Sequence, residues 1–519
     1  MKAKILFLLI ITVLFCGCGK ASDEQEVHDS TARLTVLDKE TKKTEVENEI
    51  ALSMRSPKTM NPLLNEDTTV DRVLKLIFEP LFNISEEQSV IANLAESYAF
   101  SSDGLTLTVK LKSGLKWQDG EPITAADIAY SLDVIQTASD ISVYKYVITN
   151  MTGWNAEDDL TLNINYASPY SQAPYNLAFP IIPKHHYQGN SDSDFDTVGS
   201  GSYTLSEYNN SGLTLVAAEG VYGTPQIPQA KIIISTDKET DYNAFAQGLT
   251  DILDAESSDW FSFFSSKDCG KAIYSTNTFE YLGFNNSKDM FKNQALKQAV
   301  AYCIDREQII SGIYMNNMDS SLTPVNPTAY MSSKDTLPSY NYDTDEALKT
   351  LWQASLSPYN FTFSILVNDD NSARVETAKI IAESLNRIGM NVTVNSRPYE
   401  EYIELINSDE FDVFIGGANL RCGFDLRPML LSSSAYSGTN YVNFSDAQMD
   451  TLLTAEAEAL TPEAQKKALG EVERYIAQTL PLIGIGFSNG AVLTSPNLKG
   501  VTIPYISNPY TNSAVWSFE

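Results

Sequence analysis

The chain has 519 residues, more than one hydrophobic core usually supports, so two or three lobes are expected. With 66 acidic against 36 basic side chains and a formal net charge of -30, its surface repels phosphate backbones and anionic headgroups, which argues against nucleic acid as a partner. Three histidines, His28, His185 and His186, and cysteines without CxxC or paired-knuckle spacing leave little for imidazole catalysis, structural zinc or a redox dithiol; no cofactor and no metal are expected.

In chain order, Lys2 and Lys4 precede an apolar run from Ile5 to Phe15, followed by Cys16, Gly17 and Cys18. A basic n-region, an h-region and a small-residue site make an export signal, and the run is far shorter than the ~20 apolar residues of a bilayer-spanning helix. The stretch resembles a bacterial lipoprotein signal. That resemblance implies cleavage after residue 17 and lipidation of Cys18, preceded by small Gly17, rather than of Cys16, which follows bulky Phe15. Phe15 itself stands where such signals usually carry Leu, and the alternative is a plain secretory leader. Two or more acyl chains would hold the protein on the outer face of the membrane. Residues 18–47 are charged and Ser/Thr-rich, the composition of a flexible tether.

Structure is expected to start near Ile50. Leu105, Leu107, Val109 and Leu111 alternate with Thr106, Thr108 and Lys110, which predicts a half-buried strand. Asp119-Gly120 marks a tight turn, and Thr124 with Asp127 three residues on reads as a capping-box variant opening a helix through Leu132. From about Tyr281 to Pro481 the rhythm changes. Phe361–Val367 is strand-like; Ala378, Ile381, Leu385 and Ile388 recur at helical spacing until Gly389; Val392 and Val394 begin a strand, Tyr399–Ile406 a helix and Phe411–Ile415 a third strand. This alternation implies a parallel, doubly wound sheet, whose ligands bind beyond the carboxyl ends of the strands. The segment 416–428 is therefore the first candidate site.

The strongest motif is Asn93 to Leu132, NLAESYAFSSDGLTLTVKLKSGLKWQDGEPITAADIAYSL. It resembles the signature of the solute-binding proteins of oligopeptide- and dipeptide-type ABC importers, the family 5 extracellular solute-binding proteins. Thr59-Met60-Asn61-Pro62, Gly199 to Tyr203, Val221-Tyr222-Gly223, Gly248 to Ile252, Leu282-Gly283-Phe284-Asn285 and Leu296 to Arg306 are similar to further family motifs in the family order, with Lys297 for a usual Arg.

The resemblance implies an α/β, two-lobed periplasmic-binding-protein-like fold with mixed or parallel sheets and flanking helices. Lobe I would be 48–84, 196–268 and 487–519, an inserted third subdomain 85–195, and lobe II 269–486. It further implies an extracytoplasmic, monomeric receptor that closes on di- to oligopeptides and delivers them to a membrane permease without catalysis. A non-peptide solute (metal chelate, oligosaccharide, opine-like compound) or a signalling-peptide sensor are the alternatives. A surface hydrolase is the remote one, since no G-x-S-x-G, H-E-x-x-H or P-loop occurs and Asp369-Asp370-Asn371 reads as a helix N-cap.

A peptide needs strand-like partners, a carboxylate for its ammonium and roomy pockets. By resemblance the strand-like partner is Gly416, Gly417, Ala418 and Asn419, where small residues admit a ligand backbone; the alternative is a simple strand-end turn. The family's ammonium-binding aspartate maps to Asp425, although the spacing to Pro428 is one residue short and the usual Trp is absent. Arg421 and Arg427 flank it, and they either neutralise Asp425 in a structural pair or receive a ligand carboxylate. Thr68 in lobe I and the aromatics Trp154, Tyr222 and Tyr441 complete the expected lining, with core packing the alternative for each aromatic. One disulfide among Cys269, Cys303 and Cys422 is possible.

Overall fold

In Glu49–Met54 every second side chain is buried, Ile50, Leu52 and Met54, the mark of a strand with one face on a core. The computed structural model describes residues 49–519 apart from 190–194, 210–211, 256–259, 265–267, 433–438 and 504. The leader, Cys18 and the tether lie outside the described residues. Glu49–Met54 is the edge of a four-stranded sheet, running parallel to Gln229–Ile234, with Gly212–Ala217 and Tyr203–Asn209 added antiparallel.

A second four-stranded sheet is antiparallel throughout: Ala95–Phe100, Thr106–Leu111, Thr161–Tyr166, Met151–Ala156. Leu107, Val109 and Leu111 point into the core as the alternation predicts. Leu105 does not: it precedes the strand, 37% exposed, because its N–H is taken by the Asp103 carboxylate in the turn before it. Gly120, at φ 92°, makes the expected turn in a conformation that disfavours a side chain. Thr124 opens the helix Ala125–Thr137, its N–H donating to Asp127 Oδ2 at 2.8 Å. This helix runs a turn further than Leu132. Ile135 continues the buried stripe of Ile128 and Leu132, and Lys145 Nζ donates to the terminal carbonyls of Gln136 and Ala138 at 2.8 Å each.

Both sheets share one core. Ile50, Leu52 and Ile232 from the first sheet pack in the same apolar cluster as Leu107 from the second, Leu132 from the helix and Trp516 from the chain's end. The segment expected as an insertion is thus joined to the N-terminal sheet by continuous apolar packing rather than by a hinge.

The strand–helix alternation appears where the sequence places it: Thr362–Asn368, helix Ser372–Arg387, Asn391–Arg397, helix Tyr399–Asn407, Val413–Asn419. Asn371 caps the first helix by accepting from Arg374 N at 3.1 Å, and Gly389, at φ 99°, follows its end. These three strands are mutually parallel, but the whole sheet is mixed and seven-stranded. Its other half is two long antiparallel strands, Gly270–Phe284 and Leu482–Thr494, with Ile252–Ala255 at the far edge.

The two long strands join the halves of the molecule. Tyr274 and Val492 belong to the N-terminal core, whereas Leu282, Ile483 and Ile485 belong to a separate core built on the parallel strands. Their register breaks between Ser275 and Phe279, within the polar run Ser275-Thr276-Asn277-Thr278. His185 and His186 lie in a helical turn, Lys184–Tyr187; His185 Nε2 meets Asp119 Oδ2 at 2.7 Å and His186 packs edge-on to Tyr187. Cys269, Cys303 and Cys422 are all free thiols, so the possible disulfide is not formed.

Candidate functional site

Asp67 caps the short helix Thr68–Leu74, accepting from Thr69 N at 2.8 Å and Val70 N at 3.2 Å. Helical spacing then gathers Thr68, Asp71, Arg72 and Lys75 on one side, where they line a cavity of about 170 Å³ with Asp254, Tyr274, Asn277, Thr278 and Asn419. The charges there are paired. Lys75 Nζ lies 2.7 Å from Asp71, which also accepts from Tyr144 OH at 2.7 Å; Arg72 Nε lies 3.0 Å from Asp254, which also accepts from Tyr274 OH at 3.0 Å.

A larger cavity, about 570 Å³, is lined on one side by the segment around Asp140, Lys145 and Tyr146 and on the other by Asn277 and Asn419 to Cys422. Asn277 and Asn419 line both cavities, so the two are parts of one cleft that meets at the polar interruption of the long strands. Asn277 is held from both sides: Gln88 Nε2 donates to its Oδ1 at 3.0 Å, and its backbone carbonyl accepts from Leu420 N at 2.9 Å. Arg421 lies with its guanidinium 4.3 Å from the Tyr146 ring centroid. Desolvation pushes the Tyr146 phenol well above its ordinary value, so that ring stays neutral.

Of the residues singled out in the sequence, the structure brings Thr68, Asn419 and Arg421 into the cleft. Gly416, Gly417 and Ala418 line neither cavity. A Cβ at Gly417 would run into the Arg374 guanidinium and the Glu280 carboxylate, and one at Gly416 would press on Tyr402 and Phe414. Arg374 binds Glu280 through Nε and Nη2 at 2.8 Å each and donates from Nη1 to Asn368, the last residue of the strand Thr362–Asn368, at 3.3 Å.

Asp425 also lies away from both cavities, in a two-toothed pair with Arg427 at 2.8 and 2.7 Å. Trp154 donates to Asp133 at 2.9 Å, Tyr222 donates to Asn93 at 2.7 Å, and neither they nor Tyr441 line the cleft. Sequence reasoning missed Asn277, Arg72, Asp254 and the segment around Tyr146. The signal for Asn277 was present: four consecutive polar residues interrupting a long strand that is mostly apolar beyond them, Glu280 excepted.

The model of the family described as bacterial extracellular solute-binding proteins, family 5, matches residues 89–440. The chain belongs to this family. Such proteins are non-catalytic receptors that serve ABC importers from outside the cytoplasm. This family 5 chain is 24% identical over 486 residues to the oligopeptide-binding protein AppA of Bacillus subtilis, covering 86% of this chain and 87% of the relative. It is 26% identical over 431 residues to the glutathione-binding protein GsiB of Pectobacterium atrosepticum, covering 79% and 82%. Among solved structures, the ABC transporter substrate binding protein CtaP of Listeria monocytogenes superposes with a TM-score of 0.77 at 20% identity, over 91% of this chain and 99% of that one. The fold is the mixed α/β periplasmic-binding-protein fold.

Proposed function

We propose that the solute carried by this receptor is a peptide, held in the cleft shared by Thr68, Asn277, Asn419 and Arg421. The observation that carries the reading is at the end of the strand Val413–Asn419. Its register with the long strand ends at Thr278 and Asn419, followed by one last bond from Leu420 N to the Asn277 carbonyl, and Arg421 and Cys422 continue along the larger cavity. The N–H groups of Arg421 and Cys422 donate to no other residue among those described. N–H groups that reach no other described residue, beside a cavity, are what a ligand backbone needs in order to replace its bonds to water. Lobe I as 48–84, 196–268 and 487–519, the insertion 85–195 and lobe II 269–486 would then move about Ser275–Thr278 and the facing residues of Leu482–Thr494. Native mass spectrometry of gently purified protein tests the reading. A ladder of peptide masses supports it; a single non-peptide solute, with no binding of tri- to nonapeptides by calorimetry, sinks it.

The receptor is further proposed to be tethered through lipidated Cys18. Cys18→Ala should move the protein from the membrane fraction to the soluble fraction with its ligand affinity unchanged. Continued membrane retention of that variant would remove the lipid anchor from the account.

A further inference from the structure

We propose that Ser171 and Gln172 of the inserted segment clasp Glu456 of lobe II in a proton-sensitive latch, which holds the two halves together while Glu456 is protonated and loosens when it ionises. The inference rests on the closing motion proposed above and not on the identity of the solute. Its first support is that the contacts cross from one half to the other. Ser171 N donates to the Ala457 carbonyl at 2.7 Å. Gln172 places both ends of its amide on lobe II: Nε2 donates to Glu456 Oε1 at 2.9 Å, and Oε1 accepts from Phe424 N at 2.8 Å. Ser171 Oγ adds a longer bond to Glu456 Oε1 at 3.4 Å. Ser171, Gln172 and Glu456 are only 5, 2 and 2% exposed, so this contact is shut off from water. The fit is close. A Cβ at Gly423 would lie 2.5 Å from Gln172 Oε1, and Tyr175 packs edge-on to Phe424.

The second support is the chemistry of the buried carboxyl. Glu456, near the end of the helix Ala447–Ala457, meets neutral donors on Oε1: Ser171, Gln172, and Gln465 of the helix Pro462–Thr479, whose Nε2 lies at 3.2 Å. Burial is the largest influence on it and pushes the carboxyl up to about 7. The bonds from Gln465 and Gln172 and the charge of Arg427 act against this, and the charge of Asp425 adds to it. Asp425 and Arg427 bind each other at 2.7 Å, and Tyr170, beside Ser171, donates to Asp425 at 3.4 Å. When the halves part, water reaches Glu456 and its value moves towards the ordinary 4.5. The closed value is then the higher one, so closing takes up a proton between the two values. Closure is favoured fully at low pH, and that advantage is lost as pH rises through about 7. Between pH 5 and 8 the ratio of closed to open protein should fall by about 10- to 100-fold, the size of a shift of one to two pKa units.

Hydrogen exchange of the intact protein, dialysed free of solute and corrected for the intrinsic pH dependence of amide exchange, tests the latch. Ser171 N and Phe424 N report opening, because the acceptor of each lies across the interface. Protection of the segments 169–175 and 423–427 should be about 10- to 100-fold higher at pH 5 than at pH 8. Glu456→Gln, a neutral group of the same shape, should keep that protection level across the range, and Gln172→Ala should lower it at every pH. The wild-type profile carries the test even if a variant fails to fold. Protection that does not change between pH 5 and 8, or a wild-type slope in Glu456→Gln, overturns the latch and leaves the closing motion standing. If the two segments exchange only together with core amides such as those of Val109 and Ile365, the halves do not part, and the closing motion falls along with the latch.

Discussion

Replacing Arg374 by methionine should cost about 3–5 kcal/mol of stability, the penalty of leaving a buried carboxylate without its cation. Glu280 is 5% exposed and takes both of its charge-assisted bonds from Arg374, across the face of Gly417. Removing the guanidinium strands the carboxylate at the point where the long strand Gly270–Phe284 meets Val413–Asn419. The double variant Glu280→Leu, Arg374→Met should recover most of the loss, because apolar groups of similar size need no partner. Urea unfolding of the wild type, the single variant and the double variant measures the difference. A single-variant loss below about 1 kcal/mol would show that the pair contributes no more than an exposed one.

Glu79→Gln should stabilise the protein increasingly as pH rises. Burial pushes the Glu79 carboxyl up to about 8, against one hydrogen bond from Asn93 that acts in the opposite direction. Its folded value therefore lies above its unfolded value of 4.5. Below the unfolded value both states hold the proton and the group contributes no penalty. Between 4.5 and about 8 the unfolded chain releases a proton that the folded chain keeps, so stability falls as pH rises through that window. At about 1.4 kcal/mol per pKa unit the penalty at pH 8 is on the order of 4 kcal/mol. Glu456, buried against Gln172 and Gln465 and pushed up to about 7, adds a slope of the same sign over a narrower range. Melting curves at pH 5, 6.5 and 8 should show the gap between Glu79→Gln and wild type widening with pH. A gap that stays constant would mean that Glu79 does not hold its proton in the folded chain.

Periodicity made the C-terminal half legible because its helices each bury one stripe and its parallel strands follow one another in short alternation with them. Ala378, Ile381 and Leu385 are fully buried, and Gly389 ends the helix as read. The Thr124–Asp127 cap was legible for a similar reason: it is made by residues three apart. The long strands were less so, since their pairing joins Gly270 to Thr494 across most of the remaining chain, and no local pattern records a partner so distant. The site shows the same division. Asn419 and Arg421 could be read from the end of a recognisable strand. Whether Gly417 faces a ligand or the Glu280–Arg374 pair depends on a side chain 94 positions from its own partner, which the sequence around the glycine does not contain.

The two cores differ in how much chain they need. The C-terminal one draws on residues from Leu282 to Ile485, whereas the N-terminal one brings Ile50 together with Tyr510 and Trp516. A polypeptide emerging amino end first can therefore complete the second half before the first, whose closure waits for Tyr510 and Trp516 and carries the larger loop entropy. Deleting residues 498–519 should thus leave the later-synthesised half able to form while the earlier one stays exposed to proteolysis, an order opposite to that of synthesis.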